Sequence, residues 1–286
     1  MSETKSASGG KKILIAGEGG QGIQSVAEIL ARAANEQGKE TTYIPNFGVE
    51  QRGGVSLAFL QIDEKPIGYP KFDQADIVVA MCNRAIDVIK KFVNDNTLFI
   101  YDSSFIDNEK IKTLHGIVKK YLSIPAKQIA QKELSIKVAN ILFLGAIAQE
   151  LGDLTTAQIN IAMNNQFKHH PEFQELNEKA FERGVQYAKE RPDQEFTGSA
   201  LREIQKIFED DKKSWQRFPE YCKGCGLCLI SCPQKAIAFS DDLNFLGTNL
   251  PKVDLKKCLA CGTCQKICPD GAIRVSKKPN SVLKNR

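Results

Sequence analysis

The first two thirds of the chain combine short apolar runs with longer segments in which apolar residues recur at helical spacing. Lys11 to Ala16 is a short run that ends at Gly17, and the periodic segment Gly22 to Gln37 stops at Gly38. This order predicts a strand, a glycine turn and a helix. Further strand-like runs cover 41–44, 55–62, 77–81 and 98–101, and a helical stretch covers 84–93. Strands that alternate with helices indicate an α/β domain with an at least partly parallel sheet.

Helical spacing dominates the next part of the chain, at 136–151, 155–167 and 171–189. Within it, Val138 to Ala148 carries apolar residues on nearly every side of a helical wheel. A helix of this kind must be covered on all sides. Both the core of its own domain and the surface of another subunit are open as the covering partner.

A change of composition separates this region from the C-terminal quarter. Arg191 to Ser199 is rich in Pro, Gly, Thr and charged residues and is typical of a linker, 200–208 has helical spacing, and 209–213 is a charged run. The predicted organisation is an N-terminus at 1–10 that frays, an α/β domain at 11–189, a linker at 190–214 and a small domain at 215–286.

Composition changes this picture little. The chain has 286 residues, of which 42% are hydrophobic and 26% charged, as in ordinary globular proteins. Its most apolar stretch, 138–148, is well short of the roughly 20 residues that a membrane span needs. Because residues 1–10 are polar and lack the apolar centre of a secretory signal, we expect a cytoplasmic protein.

Eight of the nine cysteines lie in the C-terminal quarter. The cytoplasm keeps thiols reduced, so we expect these eight to be metal ligands rather than disulfides. The ninth, Cys82, ends the apolar run 77–81, and we expect it to be a buried structural thiol.

The eight cysteines form two copies of C-x2-C-x2-C-x3-C followed by proline, and every cysteine of the second copy lies 36 residues after its counterpart. Three closely spaced thiolates can wrap three irons of one cubane cluster, while the fourth cysteine ligates the opposite cluster. The spacing therefore predicts two [4Fe-4S] clusters. Cluster 1 would be held by Cys222, Cys225, Cys228 and Cys268. Cluster 2 would be held by Cys258, Cys261, Cys264 and Cys232.

Residues around the cysteines fit the same interpretation. Glycines at 224, 226 and 262 suit loops whose amides approach sulfide, and Ala236-Ile237 and Ala272-Ile273 would seal the clusters from water. A pair of zinc sites is the alternative, but zinc ribbons use pairs of C-x2-C. Residues 215–276 resemble the bacterial two-[4Fe-4S] ferredoxins, which implies a small α+β domain.

The positive charge also lies in this quarter. Residues 215–286 hold twelve Lys and Arg against five Asp and Glu, a net +7, and the other 214 residues hold 27 against 29, a net −2. The excess lysines would favour docking of an acidic electron carrier. Lysines that only keep the domain soluble are an equal alternative. Nucleic acid is disfavoured, because no aromatic residues are interleaved with the basic ones.

The glycine turn G-E-G-G-Q-G at 17–22 matches G-x-G-x-x-G between a strand and a helix, where a dinucleotide pyrophosphate would bind. The acidic residue expected about 20 residues on is missing, since that position reads Tyr43-Ile44-Pro45-Asn46. An NAD(P)-binding iron-sulfur oxidoreductase is therefore the alternative function.

Several spaced motifs resemble the gamma subunit of the 2-oxoacid:ferredoxin oxidoreductases. They are GEGGQG at 17–22, Arg52-Gly53-Gly54, Tyr69-Pro70-Lys71 and Ala75-Asp76. The match covers 11 to about 188 and implies a Rossmann-like α/β domain, and the ferredoxin-like module that follows resembles the delta subunit. The whole chain looks like a gamma-delta fusion.

This resemblance implies an electron-transfer and assembly subunit with no catalytic residue of its own. Alpha and beta partner subunits would hold thiamine diphosphate and magnesium, coenzyme A would take the acyl group, and an external ferredoxin would receive the electrons. Pyruvate, 2-oxoglutarate and other 2-oxoacids are handled by similar assemblies. The resemblance assigns a contact with a partner subunit or with coenzyme A phosphates to Gly17, Gly19, Gly20, Gln21, Gly22 and Arg52.

Two further alternatives stay open. Arg52 could form a purely structural salt bridge, and the chain could be a regulatory scaffold with a ferredoxin tail. His115, His169 and His170 have no spacing that suggests a site, and we expect them at the surface or satisfied.

Overall fold

The computed structural model divides the chain into two compact units, Met1–Gly198 and Ser199–Arg286. The frayed N-terminus predicted for 1–10 and the central part of the predicted linker fall almost entirely outside the described residues. These residues are 10–47, 54–104, 106–191, 207–219, 221–244 and 248–278.

The first unit is an α/β domain, as the sequence predicts. Its strands are β1 (Lys11–Glu18), β2 (Glu40–Phe47), β3 (Val55–Asp63), β4 (Ile77–Ala80), β5 (Leu98–Asp102) and β6 (Lys120–Ile124). Its helices are α1 (Ile23–Glu36), α2 (Asn83–Ile89), α3 (Asn108–Lys112), α4 (Ala126–Glu133), α5 (Ala139–Leu151), α6 (Thr156–Gln166) and α7 (Gln174–Glu190). Short 3-10 turns precede α5 and α7 and follow α2.

The six strands form one mixed sheet in the order β2-β3-β1-β4-β5-β6. Strands β1, β4, β5 and β6 are parallel neighbours, whereas β3 runs antiparallel to both β1 and β2. Strand β1 is buried on both faces, which explains its continuous apolar run. Its Ile13 and Ile15 pack in the same core cluster as α1, and Leu14 and Ala16 in the cluster that contains α2. These helices therefore cover opposite faces of the sheet.

Helix α5 is covered within its own unit. Ten of its thirteen residues are buried, and the helix contributes to the larger core cluster. Of the two covering partners that the sequence left open, the core of its own domain is the one observed. Gly145 of α5 and Gly184 of α7 bring the two helix backbones into direct contact. A Cβ atom on Gly145 would lie 2.1 Å from the Phe181 carbonyl oxygen, and one on Gly184 would lie 2.1 Å from the Leu142 carbonyl oxygen.

The second unit repeats one strand-helix-strand pattern. Its elements are β7 (Ile207–Glu209), β8 (Lys213–Arg217), α8 (Leu227–Ile230), β9 (Ile237–Leu243), β10 (Asn249–Val253), α9 (Thr263–Ile267) and β11 (Ile273–Lys277). The strands pair as β9-β10 and as β7-β8-β11. The starts of α9 and β11 lie 36 residues after those of α8 and β9, so the sequence duplication is also a duplication of structure.

The beginning of this unit corrects one prediction. Ile207 and Phe208, which the helical spacing of 200–208 placed in a helix, lie in strand β7, and residues 200–206 fall outside the described part. The predicted linker 190–214 therefore contains β7 and the start of β8. The cause is pairing with the next strand: Phe208 packs edge-on against the Trp215 ring, with 5.6 Å between the ring centroids, while β7 pairs antiparallel with β8. Strand pairing outweighs a helical pattern of so few apolar positions.

Candidate metal centre

The two cysteine motifs adopt the same arrangement. Cys228 in α8 and Cys264 in α9 are buried, whereas Cys225 and Cys261 are exposed. The backbone also repeats: Gly226 and Gly262 precede these helices with φ of 77° and 76°, a left-handed conformation that favours glycine. Each motif is thus a tight loop that leads into a short helix.

The four sulfur ligands predicted for cluster 2 line one cavity. Cys232 from the first motif lines this cavity together with Cys258, Cys261 and Cys264 from the second motif. The fourth cysteine of the first motif thus lines the same cavity as three cysteines of the second, which is the arrangement that the ligand set of cluster 2 needs. Three thiols from one loop and a fourth from the end of a helix in the other motif make up the four sulfur donors that a cubane cluster requires.

The predicted ligands of cluster 1 are also neighbours. Cys222 and Cys268 pack together with the buried side chains of Leu250 and Ala272. Burial raises the pKa of the Cys222 thiol, and the nearby Cys268 and Cys225 thiolates raise it further. The raised pKa favours the protonated form of Cys222, and iron must displace that proton to bind.

Backbone amides donate to the fourth sulfur of each motif. The Ala236 amide lies 3.3 Å from Cys232 Sγ, and the Ala272 amide lies 3.2 Å from Cys268 Sγ. These donors stabilise thiolate charge. The same alanines are buried, as are Ile237 and Ile273 beside them, which is the position that the predicted apolar seal requires. The residues present fit two four-iron clusters.

Two residues near the cysteines escaped the sequence analysis. Trp215 in β8 donates from Nε1 to Cys264 Sγ at 3.4 Å. Arg217 in the same strand is fully buried, donates to the Pro251 carbonyl oxygen at 2.8 Å and pairs with Asp242. Trp215 is the only tryptophan of the chain, which makes it easy to notice in the sequence. Its hydrogen-bond partner could not be predicted, because Cys264 lies 49 residues away.

The backbone amides of the glycine turn form hydrogen bonds within the first unit. The Glu18 amide donates to Gln21 Oε1 at 2.9 Å, the Gly19 amide to the Gly54 carbonyl oxygen at 3.0 Å, and the Gln21 amide to the Glu18 carbonyl oxygen at 3.1 Å. Gly22 has a φ of +74° and precedes α1. Three of the amides that would cradle a pyrophosphate are thus engaged within the fold, which disfavours the dinucleotide interpretation. Arg52 lies outside the described residues.

The sheet order disfavours it further. In a dinucleotide-binding fold, the strand that carries the acidic ribose ligand lies directly beside β1. Here the antiparallel strand β3 takes that place, and β2, which contains Tyr43 to Asn46, lies one strand further away.

A buried ion pair lies at the same edge of the sheet, and the sequence analysis missed it. Lys127 Nζ is 4.0 Å from Asp102 Oδ2 and 3.5 Å from the Met81 carbonyl oxygen, to which Gln21 also donates. Burial raises the pKa of the Asp102 carboxyl and lowers the pKa of the Lys127 ammonium group. The pair ties the carboxyl ends of β4 and β5 to the start of α4, beside the glycine turn.

The structure also describes residues of two other motifs on which the family resemblance rests. Asp76 Oδ2 accepts from the Lys12 amide at 2.8 Å at the start of β1. Lys71 Nζ lies 5.6 Å from the centre of the Phe59 ring, and Tyr69 is exposed. The three histidines, His115, His169 and His170, are exposed as expected.

Cys82 is buried, as predicted, and burial raises the pKa of its thiol to about 11. We expect iodoacetamide at pH 8 to leave Cys82 unmodified in the folded protein and to alkylate it in denaturant, because only about one thiol in a thousand is ionised three pH units below its pKa. In iron-free protein, the exposed Cys225 and Cys261 should react before Cys82. Mass spectrometry of tryptic peptides measures both. Equal native labelling of Cys82 and Cys225 would contradict the assignment.

The same shift predicts a pH dependence. The raised pKa means that the Cys82 contribution to stability is present below the ordinary thiol pKa and is lost as the pH rises through about 11.

Across the described residues, we find no helix with both the length and the apolar character that crossing a membrane requires.

Comparison with known proteins agrees with both units. A family model described as pyruvate ferredoxin/flavodoxin oxidoreductase matches residues 12–187, and a 4Fe-4S dicluster domain model matches residues 221–272. The second match supports [4Fe-4S] clusters over the zinc alternative.

Relatives and a solved structure match the first unit. The ketoisovalerate oxidoreductase subunit VorA of Methanothermobacter thermautotrophicus is 31% identical over 180 residues, which are 63% of this chain and 36% of VorA. The chain thus spans about a third of the length of that relative. The 2-oxoglutarate synthase subunit KorC of Methanocaldococcus jannaschii is 31% identical over 63% of this chain and 95% of KorC.

A crystal structure of the keto/oxoacid ferredoxin oxidoreductase gamma subunit from Geobacter sulfurreducens matches with a TM-score of 0.50 and 26% identity, over 63% of this chain and 98% of that subunit. The first unit has the gamma-type fold, and a 4Fe-4S dicluster domain follows it. The family model for pyruvate ferredoxin/flavodoxin oxidoreductase matches more than half of the length of this chain, so the chain belongs to that family.

Proposed function

We propose that this chain is the electron-transfer and assembly subunit of a 2-oxoacid:ferredoxin oxidoreductase. The observation that carries the proposal is the cavity in which Cys232 of one motif meets three cysteines of the other, in a chain whose first unit has a gamma-type fold. Two such clusters, when bound, accept and release single electrons. Oxidative decarboxylation of a 2-oxoacid releases two electrons, so a relay of this kind suits that reaction.

In this proposal the chemistry on the substrate takes place in partner subunits. Alpha and beta subunits hold thiamine diphosphate and magnesium and select the 2-oxoacid, and coenzyme A takes the acyl group. The relatives act in complexes named for ketoisovalerate and 2-oxoglutarate, which supports this substrate class.

The residues of this chain hold and shield the clusters. Cys222, Cys225, Cys228 and Cys268 bind cluster 1, and Cys258, Cys261, Cys264 and Cys232 bind cluster 2. Ala236 and Ala272 donate their amides to sulfur and, with Ile237 and Ile273 beside them, exclude water.

The surface near Cys261 suits an acidic electron carrier. Lys256, Lys257 and Lys266 are exposed close to this cysteine in the sequence, and Leu259 beside it is 60% exposed. Positive charge around an accessible ligand speeds the encounter with a partner of opposite charge. We therefore propose an external ferredoxin as the electron acceptor.

The glycine turn is proposed to contact a partner subunit or coenzyme A. Because the Glu18, Gly19 and Gln21 amides are engaged within the fold, recognition would fall to side chains of this edge and to Arg52. This arrangement favours a protein contact over a phosphate cradle made of amides.

The test is reconstitution under anaerobic conditions. We expect the isolated chain to be brown and reducible by dithionite but inactive, and to support reduction of ferredoxin by a 2-oxoacid and coenzyme A once the alpha and beta subunits are added. A Cys225→Ala variant should lose most of this activity, whereas Cys82→Ala should keep it.

Three results would contradict the proposal. Turnover of substrate by the chain alone would make it the catalytic subunit. Unchanged electron flow in Cys225→Ala would favour a scaffold. Bleaching of the clusters by NADH would favour the dinucleotide-dependent enzyme.

A further inference from the structure

The two cluster sites differ in the side chains that form hydrogen bonds to sulfur. At cluster 2, Thr263 Oγ1 lies 3.3 Å from Cys261 Sγ, and a buried tryptophan donates to Cys264. Trp215 is 1% exposed, and its indole Nε1 donates to Cys264 Sγ at 3.4 Å. A buried indole N–H requires an acceptor, and here the acceptor is a sulfur that the proposed function assigns to cluster 2. The donor therefore points at a ligand of one particular cluster.

The internal duplication shows what the other half of the domain has in this place. Residue 251, 36 positions after Trp215, is a proline in β10. The cross-strand partners agree with this correspondence: Trp215 pairs with Val275, and Pro251 pairs with Phe239, which is 36 residues before Val275. A proline side chain has no N–H. The strand that donates to cluster 2 thus has no equivalent side-chain donor in the half that corresponds to cluster 1.

A donor of this kind changes the reduction potential of a cluster. One electron takes a cluster with four thiolates from a total charge of −2 to −3, and an N–H group stabilises the more negative state more strongly. Hydrogen bonds to the sulfurs are among the factors that set cluster potentials.

We propose that Trp215 is a positioning residue for electron transfer that raises the reduction potential of cluster 2 relative to cluster 1. This inference rests on the proposed function, since it needs both clusters. The indole biases an electron shared between the clusters toward the cluster held by Cys258, Cys261, Cys264 and Cys232. Arg217, on the same strand, is paired with Asp242, and we expect this pair to remain when Trp215 is replaced.

The experiment is a potentiometric titration of the full chain, with dithionite as the electron source and electron paramagnetic resonance as the readout. In Trp215→Phe, we expect the equilibrium constant for reducing cluster 2 to fall about tenfold, which is about 59 mV for a one-electron couple. The potential of cluster 1 should not change. Variants that lose one cluster, Cys232→Ala and Cys268→Ala, assign the two potentials.

A packing control uses the neighbouring ring. Phe208 packs edge-on against Trp215, so Phe208→Leu loosens the same contact but keeps the indole N–H. This variant should leave both potentials close to those of the wild type. A shift in Phe208→Leu as large as that in Trp215→Phe, or equal shifts of both clusters in Trp215→Phe, would overturn the inference.

A second measurement needs no substitution. Because the chain contains a single tryptophan, 15N-indole labelling places one label beside Cys264. Pulsed electron paramagnetic resonance of the reduced wild type should show coupling of that 15N nucleus to cluster 2 only, and no coupling would overturn the inference. A chain that binds no [4Fe-4S] cluster would refute the proposed function as well, whereas intact clusters without coupling would refute this inference alone.

Discussion

Cys232→Ala is expected to lose cluster 2 and to keep cluster 1, although residue 232 belongs to the first motif. Cys232 lines the cavity of Cys258, Cys261 and Cys264, and its removal leaves that cluster with three protein ligands. Iron should fall from about eight to about four atoms per chain. Anaerobic iron analysis measures the loss, and electron paramagnetic resonance of the reduced protein should show the signal of one cluster in place of two interacting ones.

The converse variant is the matched control. Cys268→Ala should lose cluster 1, because Cys268 packs with Cys222 at the other site. The two variants should therefore retain different clusters, with different potentials. Cys82→Ala should keep all of the iron, since Cys82 lies in the first unit. Identical residual spectra in Cys232→Ala and Cys268→Ala would contradict the crossed ligand sets.

The grouping of three cysteines within each motif could be predicted from the sequence because those cysteines are close in the chain. Three cysteines that are each separated by two residues face one another within a tight loop. The middle cysteine is exposed in both loops, at Cys225 and at Cys261, so the two loops have the same local arrangement. Strand β1 and helix α1 were predictable for the same reason, since a continuous apolar run, a glycine turn and an amphipathic segment lie next to one another in the chain.

Features set by distant partners could not be predicted. Val55 to Ile62 has a clear strand pattern, but nothing in that pattern places it antiparallel to β1, between β1 and β2. This insertion, together with the engaged amides of the glycine turn, separates the fold from a dinucleotide-binding one. The pairing of Asp102 with Lys127 and the bond from Trp215 to Cys264 likewise join residues 25 and 49 positions apart.

Gly145→Ala is expected to destabilise the first unit by about 3 kcal/mol, at the upper end of the usual range for overpacked cores. Alanine favours a helix over glycine by about 1 kcal/mol, so helix propensity alone predicts the opposite sign. The contact decides the outcome, because the new Cβ would lie 2.1 Å from the Phe181 carbonyl oxygen and 2.9 Å from the Val185 nitrogen. Neither is the flexible end of a side chain, so α5 and α7 must move apart within the core.

For a unit of this size, a loss of about 3 kcal/mol corresponds to a fall in Tm of about 6 to 12 °C, which circular dichroism measures. Gly68→Ala is the control, since its Cβ would meet nothing within 4 Å and its φ is not left-handed. It should leave Tm unchanged or raise it slightly, by restricting the unfolded chain. Iron content should stay at the wild-type value in both variants, because Gly145 and the cluster cysteines lie in different units. A Gly145→Ala protein as stable as Gly68→Ala would show that the two helices do not cross at these glycines.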